Sequence, residues 1–136
     1  MGGYLNPSND KFVSYRDYPF YVDKTLLIEE TNCRLGFEKT KYMCVTRPRR
    51  FGKTLALSTL CAYYSKGCDS TEPFKDLKIS KDPSFAEHLN KHNVILIDAA
   101  GAYTGAEDKE NFVCELEHNV LLDLKEAFPG VLAKAI

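Results

Sequence analysis

Gly52, Lys53 and Thr54 are the residues of this chain whose order could do chemistry on a phosphate. They stand in Tyr42-Met-Cys-Val-Thr-Arg47-Pro-Arg-Arg-Phe-Gly52-Lys53-Thr54-Leu55: an apolar run, a basic turn, then the start of a helical pattern. A loop that turns from a strand end into a helix points several backbone N–H groups into one concave space. The first helical amides have no intrahelical acceptor, and the helix dipole adds positive potential there. Gly52 has no Cβ to hold an anion away from the backbone. Lys53 can reach the β- and γ-phosphates as the catalytic cation, and the Thr54 hydroxyl is placed to ligate Mg²⁺. Arg49, Arg50 and Phe51 complete the expected nucleotide-binding set, so residues 49 to 54 predict a site for a nucleoside triphosphate and Mg²⁺.

The loop departs from G-x-x-x-x-G-K-[ST] at its entry. The first glycine of that pattern falls on Arg47, and Pro48 pushes Arg47 toward an extended conformation. Arg47, Arg49 and Arg50 form the densest basic cluster. Three readings stay open: guanidinium contacts to phosphate, a nucleic-acid patch, or a structural ion pair made by Arg50. Net charge is −1 over 136 residues, so no wider basic footprint supports nucleic-acid binding, and nothing draws the whole chain to a membrane surface.

Other residues carry weaker chemistry. Asp98 follows Val94-Ile-Leu-Ile97 and has the form of an acid at a strand end, suited to hold Mg²⁺ through water; the alternative is a capping or turn role. Ala99 supplies no second carboxylate. His88 and His92 have the i, i+4 spacing of two metal ligands, but H-E-x-x-H is absent and an exposed polar face is the expectation. Tyr63 and Tyr64 are expected in the core or on a helix surface rather than as a base-stacking platform. Five cysteines, with no C-x-x-C pair, read as reduced thiols of a cytoplasmic protein, two of them in the core. The N-terminus has no secretory pattern, and no apolar run approaches membrane-spanning length.

The elements that must position these residues read as follows. Met43–Thr46 is expected as a strand and Leu55–Tyr64 as a buried helix, apolar on nearly every side and ending near Lys66-Gly67. Asp23 caps a helix running to about Asn32, and Asp82-Pro83 starts a short one carrying Phe85 and Leu89. Val94–Asp98 is the clearest strand, its continuous apolar run fitting burial on both faces of a parallel sheet. A further strand is expected around Phe20 to Val22. Thr104 to Glu107 resembles a capping box, before a helix with Val113, Leu116, Val120, Leu124 and Ala127 at steps of three and four. Strand–helix–strand–helix order predicts one α/β domain, a partial P-loop NTPase fold with a mostly parallel sheet, flanking helices and a right-handed crossover.

The run Thr46-Arg-Pro-Arg-Arg-Phe-Gly-Lys-Thr54 resembles the loop of the bacterial predicted AAA-ATPase-like proteins. Tyr4-Leu-Asn-Pro7, Tyr21-Val-Asp-Lys-Thr25, Ala62-Tyr-Tyr64, Phe74-Lys-Asp-Leu-Lys-Ile79 and the stretch from Asp82 to Ile95 extend the similarity in order, and it becomes vague after Ala99. The resemblance implies ATP as the nucleotide and, in longer members, a downstream restriction-endonuclease-like nuclease domain. It also implies that Val94–Asp98 precedes the Walker B strand, whose Asp-Glu pair comes later. Residues 1–136 are therefore expected to be the N-terminal portion of an AAA-ATPase-like domain, truncated before that strand, with hydrolysis only if a longer chain completes it. A non-enzymatic remnant or interaction module of the same fold is the first competing function, and a nucleic-acid-binding module using Arg47 to Arg50 the second.

Overall fold

The computed structural model describes residues 3–48 and 52–131. The chain divides into two compact units, Ser8–Asn93 and a second built from Met1–Pro7 with Val94–Ile136.

The Ser8–Asn93 unit packs short helices around an aromatic centre. In chain order these are α1 (Asp10–Arg16), α2 (Leu26–Arg34), α3 (Lys53–Tyr64), α4 (Thr71–Phe74), a 3-10 turn (Lys78–Lys81) and α5 (Phe85–His88). Phe12 of α1, Ile28 of α2, Ala62 and Tyr63 of α3, Phe74 of α4, and Leu77 and Ile79 beyond it form one buried cluster. Phe12 stacks on Phe74 with ring centroids 4.4 Å apart, and Tyr63 meets Phe74 edge-on at 5.8 Å. Each large side chain taken from water in this way contributes about 1.5–3 kcal/mol, which is what holds helices too short to be stable alone.

Three Asp-x-Thr/Ser turns organise this unit. The Asp23 carboxylate accepts from the Thr25 N–H at 2.9 Å and its hydroxyl at 2.6 Å, Asp69 does the same for Thr71, and Asp82 for Ser84. Each turn lets a short side chain take over a backbone donor just ahead of a helix. The Asp23 turn is fastened further. Its second oxygen accepts from the Lys78 N–H at 2.7 Å, and the Thr25 hydroxyl accepts from the Ile79 N–H at 3.2 Å.

In the second unit α6 (Ala99–Gly105) is capped by Asp98, whose Oδ1 accepts from the Gly101 N–H at 3.0 Å. α7 (Phe112–Ala127) follows. Its Leu116, Val120 and Leu124 are half-buried at steps of four, as its sequence pattern requires, while Val113 and Ala127 are exposed. Asp123 of α7 accepts from the Tyr4 N–H at 3.0 Å.

The expected α/β fold with a mostly parallel sheet is not what forms. Among the described residues there is no β-strand, only an antiparallel bridge between Leu5 and Ile95 and a parallel one between Ser65 and His92. A strand is defined by its partners, and these segments lack them. Residues 43–48 are exposed throughout and share no backbone hydrogen bond with another described segment. Among the described residues the backbone of Val94–Ile97 pairs with the N-terminal stretch alone, through Asn6 N–H to Val94 C=O at 2.7 Å and Leu96 N–H to Tyr4 C=O at 2.9 Å. Its residues alternate: Val94 and Leu96 are half-buried, while Ile95 and Ile97 stand nearly half exposed, so the run is not buried on both faces. Phe20 is 90% exposed and lies in a loop. Thr104 makes no capping box either, since it sits in the last turn of α6 and its hydroxyl donates to Ala100 C=O.

A candidate phosphate-binding site at the start of α3

α3 begins where the motif predicts. Gly52 is its N-cap, in the left-handed region at φ 81°, ψ 22°, and its carbonyl accepts the first helical bond from the Ala56 N–H at 2.9 Å. The amides of Lys53, Thr54 and Leu55 precede that bond and have no acceptor among the described residues. No acidic side chain stands in the first turn to take them. Glycine is needed for the backbone angle rather than for space, because among the described residues beyond its chain neighbours a Cβ built there would meet nothing closer than Lys24 Nζ at 3.5 Å.

Lys53 and Thr54 are exposed, and neither side chain is engaged by another described residue. Their ammonium and hydroxyl are thus available at the same helix end as the spare amides. Arg49, Arg50 and Phe51, also expected to bind nucleotide, lie outside the described residues. Arg47 is exposed.

Lys24 carried no role in the motif reading, although Tyr21-Val-Asp-Lys-Thr25 stood out as a segment. It lies one residue from each of the two hydrogen-bonded partners Asp23 and Thr25. Burial would raise the Asp23 carboxyl, but its bonds from Thr25 and Lys78, with the nearby Lys78 charge, leave it below the ordinary carboxylate range. A cleft lined by Tyr21, Val22, Lys24, Leu27, Leu55 and Leu60 runs beside this turn and the first turns of α3.

The far end of α3 explains the tyrosines. Tyr63 is fully buried, its hydroxyl donating to Phe85 C=O at 2.8 Å. The Tyr64 hydroxyl donates to Asn32 Oδ1 and shares a 2.6 Å bond with Thr31. Burial, first of all, pushes the Tyr64 phenol up to about 12. Both rings are packed into the core side, as expected, and present no stacking platform. Asn90, which the sequence reading passed over, closes this end. In the left-handed region at φ 54°, it accepts from the Ser70 N–H and donates to the carbonyls of Ala62 and Ser65.

The remaining candidates are placed as follows. Asp98 serves as the cap of α6, the role weighed against Mg²⁺ binding. His88 and His92 are half-buried rather than an exposed face, with Nδ1 and Nε2 2.9 Å apart. Burial, then the charges of His88 and Lys66, depress the His92 imidazole. Among the described residues no group of three or more His, Cys, Asp or Glu side chains could hold a metal ion. All five cysteines are free, Cys61 buried and Cys68 half-buried, with Cys33, Cys44 and Cys114 exposed. No helix among the described residues is long and apolar enough to cross a membrane.

No curated protein and no solved structure matches the chain. The AAA-ATPase-like family, described as Predicted AAA-ATPase, matches residues 10–127, a span that takes in the loop, α3 and the turn at Asp23. That span covers most of the sequence, and the chain belongs to this predicted AAA-ATPase family.

Proposed function

We propose that the chain binds ATP as its Mg²⁺ complex at the N-terminal end of α3. The observation that carries this is the coincidence of the Gly52-Lys53-Thr54 order with a left-handed Gly52 opening a 12-residue helix, in a chain of a predicted AAA-ATPase family. The spare amides of Lys53 and Thr54 would hold phosphate oxygens, Lys53 would neutralise charge on the β- and γ-phosphates, and the unengaged Thr54 hydroxyl would ligate Mg²⁺. Arg49, Arg50 and Phe51 would complete the nucleotide-binding set.

When bound, Mg²⁺ supplies charge neutralisation across the phosphates; Lys53 adds to it from the protein as charge moves toward the leaving group. Asp98 would have to give up its bond to Gly101 before it could hold a metal-bound water. Hydrolysis would need a further carboxylate beside Asp98 to hold the metal-bound water and position the attacking one. A second reading, an interaction module that holds nucleotide without turnover, draws on the exposure of Phe20, Phe37 and Tyr42 in the Ser8–Asn93 unit.

The test is thermal unfolding with and without MgATP. At a nucleotide concentration 100 times Kd, binding to the folded chain should add about 2.7 kcal/mol. Lys53→Ala should unfold as the unchanged chain does without nucleotide and gain little from it. Equal stabilisation of both proteins would place the nucleotide elsewhere, and no stabilisation of either would end the proposal.

A further inference from the structure

Lys24 and the loop come from separate segments, yet its ammonium lies 3.5 Å from the position a Gly52 Cβ would take. Three facts bear on why it stands there. Lys24 has no ion-pair partner among the described residues. Its backbone is fixed from both sides: Asp23 accepts from Thr25 and from the Lys78 N–H, and the fully buried Thr25 accepts from the Ile79 N–H. Finally, it stands at the helix end where, among the described residues, three backbone amides have no acceptor and the Lys53 side chain has no partner. Lys24 and Lys53 thus bring two cations to one helix end, and an anion held between two cations relieves their repulsion.

We propose that Lys24 is a second phosphate-binding lysine of the Gly52-Lys53-Thr54 loop, delivered from outside the motif by the Asp23–Thr25 turn. This rests on the reading of that loop as the nucleotide site. Lys24 approaches from the cleft side of α3, so the phosphate chain is clamped between a lysine on the helix and a lysine on the turn. The clamp favours polyphosphates: each added phosphate brings charge that a single lysine cannot neutralise alone. Asp23 is then a positioning residue, which holds the turn and touches no phosphate itself.

The experiment measures MgATP, ADP and AMP affinities by calorimetry for the full chain and for Lys24→Met, Lys24→Arg and Lys53→Ala, at two salt concentrations. Lys24 is exposed, so both of its variants should fold, with melting temperatures in the absence of nucleotide equal to that of the unchanged chain. Lys24→Met is expected to weaken MgATP about tenfold and to narrow the preference for ATP over AMP. Its salt dependence should also be flatter. Lys24→Arg should restore MgATP affinity to within about threefold of the unchanged chain, because it keeps the charge. If Lys24→Met binds MgATP within about twofold of the unchanged chain while Lys53→Ala has lost it, the loop reading stands and the second lysine is overturned. A Lys24→Arg variant as weak as Lys24→Met overturns it too, since the charge would then not be what matters. If even the unchanged chain binds no nucleotide, the loop reading fails and this inference falls with it.

Discussion

The two ends of α3 are built on opposite plans. At its C-terminal end Tyr63 is fully buried, the Tyr64 hydroxyl is bonded to Asn32 and Thr31, and Asn90 takes up the carbonyls of Ala62 and Ser65. At its N-terminal end the backbone turns left-handed at Gly52, Lys53 and Thr54 are exposed, and the first amide donors have no acceptor among the described residues. One end spends its polar groups on the fold and the other withholds them. A helix fixed at one end by burial can keep its opposite end open for an anion, because order at the site does not depend on the ligand filling it.

The sharpest way to break the contrast is at the packed end. Tyr63→Ala empties the aromatic centre where Phe74 and Phe85 meet it, at centroid distances of 5.8 Å each. It should cost about 3–5 kcal/mol, read as a lower urea midpoint. A loss below about 1 kcal/mol would mean that this end is not the anchor. At the open end, Gly52→Ala meets no steric block but must hold φ 81°, a left-handed strain of about 1–2 kcal/mol. Urea unfolding should show that smaller loss, and nucleotide affinity should fall more than stability does.

The smallest effect is electrostatic and sharpens the comparison with pH. The Tyr64 phenol is raised to about 12, mainly by burial, so its folded value lies above the unfolded one near 10. Its contribution to stability is whole below pH 10 and is lost as pH climbs through 12. An alkaline series of urea melts should therefore steepen its decline above pH 10, and Tyr64→Phe should remove the part owed to this hydroxyl. An unchanged alkaline profile in Tyr64→Phe would show that the hydroxyl is not held by the fold.

The contrast also separates what could be read in the residues from what could not. The start of α3 was legible because Gly-Lys-Thr encodes local backbone geometry, and α7 because its apolar residues keep a helical step over 16 residues. The sheet was misread because Met43–Thr46 and Val94–Ile97 are apolar runs of the kind that β-propensity favours, while pairing depends on segments far away in sequence. Lys24 and Asn90 gave no periodic signal; their roles arise from where the chain folds back. The Asp23, Asp69 and Asp82 turns had one in the repeated Asp-x-Thr/Ser spacing, which a search for side-chain turns would have found.

Asn90 suits its position for two unrelated reasons, and glycine, aspartate and glutamine each fail one of them. Its φ of 54° suits glycine as well, but glycine has no amide to offer Ser70, Ala62 and Ser65. Aspartate would keep the acceptor for the Ser70 N–H and set a carboxylate oxygen against two carbonyl oxygens. Glutamine would carry the amide one carbon too far, on a backbone it seldom adopts. The position is thus defined by the intersection of a backbone requirement and a bonding requirement, which asparagine meets in one side chain.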